Sequence, residues 1–134
     1  MSPKIRNIVT WVITVLCGIQ LLLAGAFKFL PGFDGHKYFE ALSSWSGMPM
    51  LIGASEVLGG LGMLLIPFLR IAESSKRNLR NLAGLGLMII LFGAVFAHYK
   101  VEGDLSNSGG AILAIVLVSL TIFLWSRKAP IQTA

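Results

Sequence analysis

The chain has 134 residues, room for one domain rather than two. Hydrophobic residues make up 55% of it and charged residues 13%, against about 25% charged in ordinary soluble domains. A small water-soluble globule leaves too much surface exposed to hide that much apolar area, which excludes a soluble enzyme, a nucleic-acid-binding module and a disordered linker.

In chain order, the first apolar run lies between Arg6 and Lys28 and holds 21 uncharged residues. That meets the roughly 20 residues a helix needs to cross a bilayer. The start resembles a secretory signal, with Lys4 and Arg6 before an apolar core and Ala24-Gly25-Ala26 as a small-residue cleavage site. The core is too long for a typical signal, so the segment is expected to stay as a span. Cys17 is the single cysteine, so no intrachain disulfide or dithiol chemistry is available. Thr14, where a lipoprotein signal would carry leucine, argues against lipidation at Cys17. Pro31-Gly32 ends the run. Tyr38, Leu42 and Trp45 then fall at i, i+4 and i+7, which predicts a short amphipathic helix at the outer surface. Met48 to Phe68 forms a second run broken by Glu56, and a basic loop is expected from Leu69 to Arg80. The third run, between Arg80 and Lys100, has His98 as its only ionisable side chain before Tyr99. A short polar turn leads into the fourth run, 22 uncharged residues between Asp104 and Arg127. The pattern predicts an all-α membrane protein: one domain over 1–134, a four-transmembrane-helix bundle with spans at about 8–28, 48–68, 80–99 and 106–126.

Basic residues set the orientation. Lys4, Arg6, Arg70, Lys76, Arg77, Arg80, Arg127 and Lys128 fall on one side of a four-span chain, eight of the 11 in total. The other side carries Lys28, Lys37 and Lys100 with Asp34, Glu40, Glu102 and Asp104. Both termini are therefore expected in the cytoplasm. The net charge of +5 reads as topology-setting charge rather than a nucleic-acid footprint.

Glu56 is the most informative residue. It is the ninth residue of its span, about 12 Å below the outer end at 1.5 Å per residue. A carboxylate at such depth costs about 2.5–3.5 kcal/mol on insertion scales and should face other helices. Gly53 and Gly60 share its face, and Ser55 and Gly59 form a small-xxx-small pair beside it. Small residues let a neighbouring helix approach closely. Lys28 ends the first span after Gly25, placed either to snorkel to the interface or to bend inward toward Glu56. His98 ends the third span at the same boundary. Glu56, Lys28 and His98 thus lie in the outer half on three helices, candidates for one pocket. Each also has a plain structural reading, as a packed acid, an interfacial lysine and an interfacial histidine.

Several motifs resemble those of one family. Gly25-Ala26-Phe27-Lys28-Phe29-Leu30-Pro31 resembles the GxxK signature that ends the first helix of the DoxX-like membrane proteins, a family that includes NACHO-like assembly chaperones. Glu56-Val57-Leu58-Gly59-Gly60 followed by Leu64-Leu65-Ile66-Pro67 resembles their second-helix segment, and Phe96-Ala97-His98 with Gly103-Asp104 resembles the end of their third helix. The resemblance runs from about Ile8 to Trp125. It implies a four-helix bundle and, for some members, a place as a subunit of a membrane oxidoreductase or redox-defence complex.

Two classes of function follow. The first is a redox-associated subunit that binds a quinone or similar amphiphile in the outer-half pocket, with Lys28 or His98 hydrogen-bonding it and Glu56 exchanging a proton. The second is a non-catalytic assembly chaperone or scaffold for another membrane protein. A small multidrug-type exporter is disfavoured, because its carboxylate belongs in the first span and this one has none. The bilayer is the first expected partner, with a second membrane protein or a second copy next. The expected location is the bacterial cytoplasmic membrane.

Overall fold

The computed structural model describes residues 2–127; Lys128, counted above among the cytoplasmic basic residues, lies outside them. Five α-helices follow one another: α1 (Pro3–Phe27), α2 (His36–Glu40), α3 (Met48–Leu65), α4 (Glu73–Glu102) and α5 (Gly109–Ser126). Short 3-10 turns, Ile66–Phe68 and Ser106–Ser108, extend α3 and precede α5. With those turns, α1, α3, α4 and α5 are long and apolar enough to cross a membrane. The short helix expected in the first outer loop is present as α2.

The boundaries have local causes. Ser2 caps α1 by accepting a hydrogen bond from the Ile5 N–H at 3.3 Å, and Pro3 occupies the first turn, where its missing N–H is no loss. Gly103 ends α4 in the left-handed conformation at φ 77°.

The loop expected from Leu69 to Arg80 shrinks to a few residues, since α4 already begins at Glu73. No proline or glycine interrupts residues 73–83. Glu73 suits the positive end of the helix and pairs with Lys76 one turn on, at 2.8 Å. Charge density there does not mark the helix boundary. Arg80 is thereby carried into the bundle, only 5% exposed, with its guanidinium 4.5 Å from the centre of the Trp125 ring.

The four long helices form a ring in which α1 lies beside α3 and α5, α4 lies beside α3 and α5, and the diagonal pairs make no close backbone approach. The α1–α3 seam is the tightest. A Cβ on Gly25 would lie 2.6 Å from the Gly53 carbonyl oxygen, and one on Gly60 would lie 2.9 Å from that of Gly18. Only glycine permits that backbone approach. Cys17, Leu21, Met63, Leu87, Leu91 and Val118 fill the centre of the ring. At the end of the bundle that carries the start of α1 and the end of α5, called the inner end after the sequence expectation, Trp11 packs edge-on against Trp125 at 5.3 Å, and the Trp125 indole N–H donates to the Thr14 hydroxyl at 2.9 Å.

A candidate ligand cavity in the outer half

Lys28 stands at the C-cap of α1, just past the glycine contact that presses α1 onto α3. Its ammonium donates to Glu56 Oε2 at 2.5 Å and to the Ala24 carbonyl at 3.0 Å. Snorkelling is therefore not its arrangement: the stem bends inward and closes the two-turn gap. The side chains are 13% and 4% exposed, so water screens the pair little. Glu56 shares its buried face with Gly53, Gly60 and Met63. Gly53 and Gly60 serve the α1–α3 seam, whereas Gly59 packs on Leu87 of α4.

The ion pair lies on the wall of a cavity of about 520 Å³, within the range of small-molecule sites. Lys28, Glu56 and His98 all line it, so the three candidates share one space. The rest of its wall is largely apolar, including Phe27, Phe39, Ile52 and Leu91. Its floor is closed. Leu21, Leu91 and Ala114 line the cavity and belong equally to the buried core, which separates it from the polar groups of the inner end.

The candidates form two sets rather than one constellation. Lys28 and Glu56 make the first. His98 belongs to the second, with its ring against that of Tyr38, centroids 3.9 Å apart. Its Nδ1 has no hydrogen-bond partner among the described residues and lies 3.9 Å from Glu102 Oε2. The Tyr38 hydroxyl donates to Glu102, which also accepts from the Asn107 amide at 2.9 Å and has Lys37 Nζ at 3.8 Å. That hydrogen bond to Glu102, aided by burial, holds the Tyr38 phenol above its ordinary titration range.

These ties fix how α2 sits on the bundle. Tyr38, Phe39 and Leu42 of the expected stripe line the cavity, and the helix ends at Glu40, leaving Trp45 exposed. A bundle with an unfilled outer end offers those side chains more burial than the interface would.

Three functional candidates were missed. Tyr38 was read for its stripe and Glu102 only for its charge, although Glu102 follows His98 by one turn. Gln20 went unremarked. Its amide donates to the Gly110 carbonyl at 2.8 Å, bridging α1 to α5, and its Oε1 has no partner among the described residues. The signal was there: Gln20 is the only side-chain amide between Ile8 and Phe27, and Gln20, Ala24 and Lys28 repeat at four-residue steps along one helix face.

No family model, curated protein or solved structure matches the chain.

Proposed function

We propose that this is a DoxX-like integral membrane protein that binds a quinone or similar amphiphile in the outer-half cavity, as a redox-associated subunit of a larger complex in the bacterial cytoplasmic membrane. The observation that carries this reading is the buried Lys28–Glu56 pair on the wall of an otherwise largely apolar cavity. Small-molecule sites combine apolar walls with a few convergent polar groups in this way, and intramembrane ionisable residues mark function by default. The residues present suit a quinone. Lys28 is a hydrogen-bond donor for a carbonyl oxygen, Glu56 holds or accepts a proton beside it, and Phe27, Phe39 and Leu91 suit the ring and chain. Such a ligand supplies reversible electron and proton transfer. The apolar floor leaves the cavity side as the route for proton exchange at Glu56.

A second reading has its own observation. Ser55, Gly59, Ala83 and Gly86 line a shallow lipid-facing groove between α3 and α4, the small-residue surface on which another membrane helix packs. It supports the scaffold hypothesis.

Purification in native-lipid discs separates the two. A quinone extractable from the wild type and lost from Glu56→Gln at normal protein level supports the first. Decylubiquinone should then bind the wild type and not that variant. A stoichiometric protein partner with no extractable quinone, and full complementation of a deletion strain by Glu56→Gln, would put the scaffold in front.

A further inference from the structure

Residues that line a cavity while remaining exposed stand at its mouth, and here their distribution is uneven. α3 and α4 contribute only buried or half-buried walls: Ile52, Glu56, Leu91, Ala94, Ala97 and His98. The exposed lining residues are Leu23 and Phe27 on α1, at 54% and 57%, Asn107 in the turn before α5, Gly110 at the start of α5, and Asp34 in the outer loop. The mouth therefore lies between α1 and α5. It is graded, with Asp34 and Asn107 at the outer edge, and Leu23, Phe27 and Gly110 where the acyl chains of the outer leaflet would lie. Gly110 leaves it open, since a Cβ there meets nothing within 4 Å. Gln20 spans the gap to Gly110, so the helices are tied across it rather than packed shut.

We propose that the cavity opens sideways into the outer leaflet between α1 and α5, and that its ligand is a single-chain amphiphile with an uncharged, hydrogen-bonding head. The head sits against the Lys28–Glu56 pair and the chain leaves through the slot. The proposal rests on the reading of the cavity as a ligand site. The head is uncharged because Lys28 is already paired and Asp34 stands at the rim. The unpartnered Gln20 Oε1 marks a polar patch on the α1 wall at the same level as the slot. One chain is the limit because Gln20 ties α1 to the Gly110 carbonyl of α5 at 2.8 Å, which leaves only a narrow opening beside that tie.

The test uses full-length protein in liposomes, with Ala111→Cys as a reporter inside the cavity in a Cys17→Ser background. A long-chain alkyl maleimide dissolved in the bilayer should modify the reporter several-fold faster than a sulfonated maleimide supplied to both aqueous sides. Gly110→Phe, which fills open space rather than the interior, should slow the alkyl reagent while leaving labelling of the lipid-facing Leu58→Cys unchanged. A monoacylglycerol should protect the reporter, and a diacylglycerol should protect it much less. Equal reactivity toward the sulfonated reagent with no effect of Gly110→Phe would place access at the outer aqueous face and overturn the proposal. Equal protection by both lipids would overturn the single chain. These readouts need no native ligand, so a failure to recover quinone from the membrane would refute the functional reading while leaving the slot standing.

Discussion

Removing either member of the Lys28–Glu56 pair should destabilise the bundle strongly, and removing both should cost much less than the sum. At 2.5 Å the Coulomb attraction is about 7 kcal/mol at an effective dielectric near 20, most of it offset by the desolvation of two charges. The asymmetry comes from what a single substitution leaves behind. Lys28→Met leaves the Glu56 carboxylate, buried on the face it shares with Gly53, Gly60 and Met63, without its paired cation. Breaking a buried pair from one side costs about 3–5 kcal/mol. Glu56→Ala should cost less, because the freed lysine can swing to the outer interface. The double variant removes both charges and keeps the apolar packing, so a coupling energy of about 2–3 kcal/mol is expected. Glu56→Gln should be the mildest single change, since the amide oxygen still accepts from Lys28. The measurement is reversible unfolding in mixed detergent micelles across all four corners of the cycle. Additive effects would mean that the two side chains do not stabilise one another in the folded protein, and the ion-pair argument would fail with them.

Three further outcomes follow. Gly25→Ala should destabilise by about 1–3 kcal/mol, the usual cost of overpacking, because its methyl would meet the Gly53 oxygen and the Val57 nitrogen. Gly86→Ala, with nothing within 4 Å, should be neutral or stabilise by up to about 1 kcal/mol through helix propensity; equal losses at both sites would refute the seam. With both termini cytoplasmic, Ser75→Cys and Ser106→Cys in a Cys17→Ser background should label from opposite sides of the membrane, and labelling from the same side would remove the orientation. In a Tyr99→Phe background, where Tyr38 is the remaining tyrosine, phenolate absorbance should titrate above the ordinary value of about 10 and return toward it in Glu102→Ala. Because the folded state holds the proton more tightly, the Tyr38–Glu102 hydrogen bond contributes fully below that ordinary value and is lost as pH rises through the raised one. An unshifted titration would mean that Tyr38 does not donate to Glu102.

Sequence alone determined the spans and the residues that had to be explained. Runs of about twenty apolar residues admit one backbone solution in lipid, because each helix must satisfy its own hydrogen bonds. That constraint is local, and it made α1, α3, α4 and α5 legible without any knowledge of contacts. The cost of a charge at depth likewise made Glu56 conspicuous, and its glycine-lined face foretold the close neighbour. Which neighbour it would be was a tertiary matter. Gly25 and Gly53 bring α1 and α3 to backbone contact, and only that approach lets Lys28 reach Glu56 rather than the interface. The start of α4 was hidden because charge reports where lipid ends, while a helix ends where its hydrogen bonds do. The division of the site into two sets, and the turning of Tyr38 and Phe39 into the cavity, depended on an unfilled volume at the outer end of the ring. No periodicity encodes a void. It arises from how four helices pack around side chains too small to close it, and only the assembled bundle decides that.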